Sequence, residues 1–176
     1  MRITLLALLV CLSGTATAAQ FISIGDVRFL LAYAPPESPV HIREYLPAGQ
    51  TLDKWTQLAS VRTFADLNDP AAYLQGLAKK VAGSDPNARA QLLQNADKSV
   101  MVLDFLVFSP ATAPVAYAEW NLMRARYEQG KGLIVYQYAR RFYNPDAAAG
   151  KQILAEREKM LTPFSTATFA EASDSR

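Results

Sequence analysis

Arginine and aromatic side chains are concentrated in one part of the chain, residues 117–143. Arginine side chains offer paired hydrogen-bond donors to carboxylates and phosphates, and arginines beside aromatic rings are a common composition of interfaces. We predict that this stretch carries a surface for a ligand or partner, with the following five candidate residues: Trp120, Arg124, Arg126, Gln137 and Arg141. The alternative is ordinary, since a pair of strands can hold tyrosines in the core and arginines at the rim.

Three other residues could support acid–base chemistry. His41 is the only histidine of the chain, and Asp104 and Glu119 lie in stretches that read as strands. If these side chains met in a concave pocket, the protein could be a small hydrolase or an enzyme that processes a ligand. Asp104 also has a structural interpretation: inside the apolar run 100–108 it requires an arginine partner or an exposed position, because burying an unpaired charge costs several kcal/mol.

Metal and cofactor sites have little support in the sequence. The single cysteine, Cys11, lies in the N-terminal apolar run, and one histidine without a cysteine is too few ligands for a transition-metal site. The glycine patterns that bind phosphates or dinucleotides are absent, and Gly130-Lys131-Gly132 reads as a hairpin turn. We therefore expect no metal, no cofactor and no catalytic residues.

The first nineteen residues have the layout of a secretory signal peptide. Met1-Arg2 precedes the apolar run from Ile3 to Leu12, and small residues follow up to Ala19. A run of about ten residues is too short for a membrane-spanning helix, which needs roughly 20. We expect cleavage after Ala18 or Ala19, export to the periplasm, and no integral membrane segment.

The charge balance argues against a nucleic-acid partner. The chain holds 18 basic and 16 acidic residues, so clustered positive charge is not in excess. An apolar fraction of 51% allows a hydrophobic core in a domain without disulfides. We expect an envelope or periplasmic protein as the partner.

The hydrophobic pattern predicts a mixed chain of strands and helices. The predicted strands are 26–33, 41–46, 100–108, 115–128 and 133–142, the last two forming a hairpin. The predicted helices begin at Thr51, with an apolar stripe of Leu52, Trp55, Leu58 and Ala59; at Asp69-Pro70, ending at Gly83; at Asn87, ending at Gln94; and at Asn144-Pro145, ending at Leu161 before Thr162-Pro163. We expect Trp55 to belong to the core.

The hairpin should present one apolar and one mixed face. If Gly130-Lys131 forms a two-residue loop, Tyr127 lies opposite Ile134 and Arg124 opposite Gln137. The core face would then hold Met123, Ala125, Tyr127, Ile134, Tyr136 and Tyr138. The five candidate binding residues would share the other face.

The order of the elements resembles the PsbP-like group of α/β/α sandwiches, which includes the PsbP extrinsic photosystem proteins and the envelope protein DcrB. The stretch Ile42 to Trp55, a short strand leading through a glycine turn into a helix with an early tryptophan, carries the resemblance locally. It implies an α+β fold, a single-domain α/β/α sandwich whose mostly antiparallel sheet has helices on both faces. It also implies a group whose members mostly bind or stabilise partners.

The resulting expectation is an exported, non-enzymatic binding or accessory protein that acts through the arginine and aromatic face of the hairpin. We expect residues 1–19 to be the signal peptide, residues 20–164 a single PsbP-like domain, and residues 165–176 a flexible C-terminal tail. The hydrolase is one alternative function. An immunity protein or chaperone associated with an effector is another.

Overall fold

The protein has an α+β fold with one eight-stranded antiparallel sheet and two helices. The computed structural model describes residues 21–35, 40–97 and 99–169. The strands are β1 Phe21–Ile24, β2 Val27–Tyr33, β3 His41–Pro47, β4 Gln57–Phe64, β5 Arg89–Gln94, β6 Met101–Phe108, β7 Tyr117–Glu128 and β8 Gly132–Tyr143. The helices are α1 Pro70–Ser84 and α2 Ala149–Thr166. Neither helix in the described ranges is long and apolar enough to cross a membrane.

The sheet consists of two meanders of four strands. Its order is β1-β2-β3-β4-β8-β7-β6-β5, so each meander pairs strands that follow one another in the chain. The meanders meet where β4 lies antiparallel to β8. The predicted strands that became β2, β3 and β6 and the long β7–β8 hairpin are confirmed, whereas β1 was not predicted.

Helix α1 begins as the sequence predicted. The Asp69 carboxylate accepts a hydrogen bond from the Ala72 backbone N–H at 2.9 Å, and Pro70 occupies the first turn, where its missing N–H does no harm. The helix ends at Ser84, one residue beyond the expected glycine. Its buried residues Leu74 and Val81 form one hydrophobic cluster with Leu103, Phe105 and Met123.

The helix predicted from Thr51 does not form. Residues 51–54 make a turn closed by a bridge between Thr51 and Lys54, and β4 follows. The Gln50 side-chain carbonyl accepts hydrogen bonds from the Thr56 and Gln57 backbone N–H groups at 2.7 and 3.2 Å, which leads the chain into the strand. The helix that carried the PsbP-like resemblance locally is therefore missing.

Trp55 is nevertheless buried, as predicted. It clusters with Leu46, Leu58 and Ala139, while Leu52 from the expected stripe is exposed. The apolar residues from Leu52 to Ala59 have helical spacing in the sequence, but they lie in a turn and the strand that follows it.

The helix predicted over residues 87–94 is also wrong, because this segment is β5. The Asp85 carboxylate accepts a hydrogen bond from the Asn87 N–H two residues later, which is a turn and not a helix cap. Strand β5 pairs along its length with β6. Pairing with a neighbouring strand outweighs a weak local helix signal.

The hairpin register differs by one residue from the prediction. Glu128 pairs with Gly132, so the loop has three residues, 129–131, and Gly130 and Gly132 both have positive φ. Tyr127 consequently lies opposite Leu133, and Arg124 opposite Tyr136. Side chains still alternate between the two faces along each strand, but side chains of β7 and β8 that were expected on opposite faces, such as Arg124 and Tyr136, now lie on the same face.

Helix α2 begins and ends later than predicted. It continues past Pro163 to Thr166, and the carbonyls of Leu161 and Thr162 accept hydrogen bonds from the hydroxyls of Ser165 and Thr166. Its buried residues Met160 and Phe164 belong to the largest hydrophobic cluster, with Trp120, Leu122, Ile134, Tyr136 and Tyr138.

Residues 165–169, expected in a flexible tail, are part of the folded domain. Phe169 is buried and stacks on the Tyr136 ring with centroids 4.3 Å apart. Residues 170–176 lie outside the described residues, as do residues 1–19, the predicted signal peptide.

Candidate functional site

The structure does not place the five predicted binding residues on one surface. Trp120, Arg124 and Arg126 alternate along β7 on the face that carries Tyr136 and Tyr138 of β8. Gln137 and Arg141 lie on the opposite face of β8. The prediction that they share one mixed face was wrong, because the predicted hairpin register was off by one residue. The five residues lie in three different environments.

Trp120 is a core residue. Its ring is 1% exposed, and its indole N–H donates to the Asp104 carboxylate at 2.7 Å. The second Asp104 oxygen accepts a hydrogen bond from Arg157 Nε of α2 at 2.5 Å. The arginine partner expected for Asp104 is confirmed, and the ion pair holds the last helix against β6.

Gln137 and Arg141 belong to a chain of buried polar contacts across three strands. The Ser60 hydroxyl donates to the Gln137 carbonyl at 3.2 Å, the Gln137 amide donates to Asn121 at 2.7 Å, and the Asn121 amide donates to Glu119 at 3.2 Å. Arg141 then donates two hydrogen bonds to Glu119, at 2.7 and 3.0 Å. These side chains satisfy one another, which makes them structural.

Arg141 is also enclosed by aromatic rings. Its guanidinium carbon lies 3.9 Å from the centroid of Trp55 and 4.2 Å from that of Tyr117. Because the cation is both ion-paired and stacked, it has little freedom to accept a ligand.

The candidate acid–base residues do not come together. His41 is exposed on β3, four strand positions away from Asp104 on β6, which corresponds to about 19 Å at the usual strand spacing. Glu119 lies on the opposite face of the sheet from Asp104, since it pairs with Val107 while Asp104 pairs with Leu122. The arrangement required by the hydrolase alternative is not formed by these three residues.

A cavity lies beside Arg124. It has a volume of about 460 Å³ and is enclosed by β6, β7 and β8 on one side and by residues 166–169 on the other. Its lining residues are Ser99, Val100, Met101, Arg124, Ala125, Arg126, Tyr136, Thr166, Ala167, Thr168 and Phe169. The volume is typical of a small-molecule site. Among the described residues of this lining, the charged ones are both arginines.

Arg124 is the central polar residue of this cavity. Its two terminal nitrogens donate to backbone carbonyls of the C-terminal segment, one to Ser165 at 2.6 Å and the other to Ala167. The buried Nε has no hydrogen-bond partner among the described residues. A guanidinium carries five N–H donors, so three of the Arg124 donors have no protein acceptor in the described part of the chain.

The electrostatic environment of Arg124 favours an added negative charge. Its guanidinium carbon lies 4.9 Å from the Phe169 ring centroid and 5.3 Å from that of Tyr136, and it meets no carboxylate among the described residues. Burial lowers the pKa of Arg124, and the positive charge of Arg126 acts in the same direction. An anion placed here would offset both effects.

Arg126 stands at the mouth of the cavity. Its side chain is half exposed, its Nε donates to the Tyr136 hydroxyl at 2.8 Å, and its terminal nitrogen pairs with Glu128 at 2.9 Å. Part of its charge is therefore balanced inside the protein. Arg124 and Arg126 are the two predicted site residues that the structure brings together.

Residues 165–169 are the part of the site that sequence reasoning missed. On the sequence alone, they are expected to belong to a flexible tail of residues 165–176. Phe169, a lone large apolar residue in this polar stretch, was the available signal. A tail without a buried anchor would not need an aromatic side chain there.

A protein-family model matches residues 17–169 of the chain. The chain belongs to this family. The range matched by the family contains all ten helices and strands described here and every residue that lines the Arg124 cavity. No curated protein matches the chain, and no solved structure does.

Proposed function

We propose that this is an exported, non-enzymatic binding protein that holds an anionic group of a periplasmic or envelope protein in the Arg124 cavity. The proposal keeps two of the predicted site residues, Arg124 and Arg126. It adds Tyr136 and Phe169 as the aromatic wall.

One observation carries the proposal. Arg124 is a partly buried cation that contacts aromatic rings and backbone carbonyls but no carboxylate within the described residues. Taking a charge out of water is unfavourable unless a partner compensates it. An anionic ligand would provide that compensation, and a cavity of about 460 Å³ leaves room for it.

The lining of the cavity supports binding over catalysis. Among the described lining residues, the ionisable side chains are Arg124, Arg126 and Tyr136. A general base at neutral pH is usually a histidine or a carboxylate. The lining residues that the structure describes include neither, so they are better suited to hold an anion than to remove a proton.

The test is capture of the partner by the immobilised protein and by two variants. Arg124→Gln removes the cation, and Arg89→Gln is the matched control, because Arg89 also donates to backbone carbonyls but lies on β5, outside this cavity. We expect a protein identified by mass spectrometry in a periplasmic extract to be retained by the native protein and by Arg89→Gln, and lost with Arg124→Gln.

Thermal unfolding of each variant provides the control for folding. If Arg124→Gln lowers stability, Arg124→Lys keeps the charge and should restore part of the capture. Full retention of the partner by a folded Arg124→Gln variant would refute the proposal.

Export is the second part of the proposal, and it is supported by the composition of residues 1–19. The intact mass of the protein from the periplasmic fraction tests it. We expect the mature chain to begin at Ala19 or Gln20. A full-length chain confined to the cytoplasm would contradict it.

We also propose the α/β/α sandwich, and with it the relationship to the PsbP-like group. Support comes from neighbouring residues of β7: Met123 clusters with α1, and Leu122 clusters with α2. Successive side chains of a strand point to opposite faces, so the two helices would cover opposite faces of the second meander. An experimentally determined structure tests this arrangement.

A further inference from the structure

We infer that the Arg124 cavity selects a carboxylate carried on an apolar body, and that it discriminates against phosphate and other multiply charged anions. This inference rests on the proposed function and specifies the chemistry of its ligand.

The charge available inside the cavity is close to one. Arg124 supplies it, since the second cation, Arg126, is half exposed and pairs with Glu128 at 2.9 Å. A ligand with one negative charge would balance Arg124. A second negative charge would enter an aromatic environment where the described lining residues supply no further cation to balance it, which is unfavourable away from water.

The hydrogen-bond donors are also few. Besides the arginines, the described lining holds the Tyr136 hydroxyl, which accepts a hydrogen bond from Arg126, and three aliphatic hydroxyls. Two of the aliphatic hydroxyls already donate elsewhere: Ser99 to Asp97 at 2.6 Å and Thr166 to the Thr162 carbonyl at 3.0 Å. A carboxylate has two oxygens for the remaining Arg124 donors. A phosphate presents more acceptor sites than a carboxylate, and the few donors left here would leave more of them unsatisfied.

The rest of the wall is apolar. Val100, Ala167 and Phe169, which pack in the same cluster as Tyr136, border the space beside Arg124. An apolar group joined directly to the carboxylate would lie against these side chains and remove them from water. Two sources provide such chemistry: a free small amphipathic acid, or the C-terminal residue of a protein with an apolar side chain.

The experiment measures binding by titration calorimetry with a series of straight-chain carboxylates from acetate to octanoate. We expect each added CH₂ to tighten binding about fourfold until the cavity is filled. Octanamide, the neutral counterpart of octanoate, and inorganic phosphate should each bind at least about tenfold more weakly than octanoate. Octanamide lacks the negative charge, and phosphate lacks the apolar chain.

Variants locate the site of binding. Arg124→Gln should weaken octanoate about ten- to a hundredfold, the effect of losing a charged hydrogen-bond partner. Arg124→Lys should lose less than Arg124→Gln, and Arg89→Gln should bind as the native protein does. Circular dichroism of each variant shows whether the fold is kept.

Peptides separate the two sources. A short peptide ending in leucine with a free carboxylate, compared with the same peptide amidated, reports on a protein terminus. If the free-acid peptide binds more tightly than octanoate, the terminus is the source. If octanoate binds and the peptide does not, the source is a free acid.

The outcomes also separate the inference from the proposed function. Phosphate binding more tightly than octanoate, or affinity independent of chain length, would overturn the inference while leaving an anion-binding cavity in place. Equal binding of octanoate and octanamide, unchanged in Arg124→Gln, would overturn both. If no carboxylate binds but Arg124-dependent capture of a protein persists, the inference alone is wrong.

Discussion

The replacement of Phe169 by alanine tests whether the C-terminal segment belongs to the folded domain. Phe169 is only 6% exposed and stacks on Tyr136 at 4.3 Å, with the Phe164 ring edge-on at 5.9 Å. A buried Phe→Ala substitution costs about 3–5 kcal/mol. We expect the lower end, about 3 kcal/mol, because Phe169 borders a cavity and part of the new space would join it.

Urea denaturation measures the effect directly. In a domain of this size, about 3 kcal/mol also lowers the melting temperature by roughly 6–12 °C. Leu154→Ala is the matched control, since Leu154 on α2 is 60% exposed and its truncation should change stability by less than about 0.5 kcal/mol. Phe169→Leu should lose less than Phe169→Ala, because most of the apolar volume remains.

A loss below about 1 kcal/mol in Phe169→Ala, or one equal to that of Leu154→Ala, would refute the reasoning. The segment would then not contribute to the core, and the wall of the Arg124 cavity formed by residues 166–169 would have no anchor.

Four further outcomes are expected. Trp55→Ala should lower the free energy of unfolding by about 3–5 kcal/mol in urea, because the buried ring packs among apolar side chains. Gly132→Ala should destabilise clearly more than Gly130→Ala in the same assay, since both glycines have positive φ but only at Gly132 would a Cβ meet a backbone atom, the Phe64 carbonyl oxygen at 2.3 Å. Burial raises the pKa of Tyr138 above its unfolded value of about 10. The stability that this shift contributes is present at neutral pH and is lost as the pH rises past about 10. Between about pH 8 and about pH 11, the free energy of unfolding should therefore fall less in Tyr138→Phe than in the native protein. The described residues contain no group of three metal-binding side chains, and the melting temperature with and without EDTA should agree.

The elements that could be predicted from the sequence are those with strong local signals. Helix α1 has both an aspartate cap and a proline in its first turn, and its buried residues Leu74 and Val81 lie two turns apart on one face. The apolar run of β6 and the glycine-rich hairpin are similarly unambiguous. In each case the local preference and the tertiary environment agree.

The segments that were misassigned are those whose structure depends on distant partners. Strand β4 pairs with β3 on one side and with β8 on the other. Each β4 residue and its partner in β8 are 69 to 83 positions apart in the chain. The helical spacing of Leu52, Trp55 and Leu58 was the only local signal, and such a signal yields to pairing on both sides. Strand β5 likewise forms because its backbone pairs with β6.

The choice of Arg124 and Arg126 as binding candidates depended on the composition of β7, which the sequence shows directly, and their role in binding stays a prediction. Gln137 and Arg141 lie on the opposite face because the hairpin loop has three residues and not two. The additional loop residue shifts the pairing of β7 with β8 by one position, so β8 side chains expected beside Arg124 point to the other face of the sheet. Phe169 could not be placed because it contacts Tyr136, a residue 33 positions earlier in the chain, without any periodic pattern around it.

The connection between the two meanders has a consequence for how the chain folds. Most strand pairs join neighbours in sequence and can form early, since closing a short loop costs little entropy. Helix α1 follows the first meander in the chain but packs on β5, β6 and β7 of the second. The largest hydrophobic cluster combines side chains of both meanders, among them Phe29 and Tyr45 of the first and Trp120 of the second. Neither half has a complete core without the other. The two halves should therefore unfold in a single cooperative transition, and a fragment that ends after α1 should expose Leu74 and Val81 to water and aggregate.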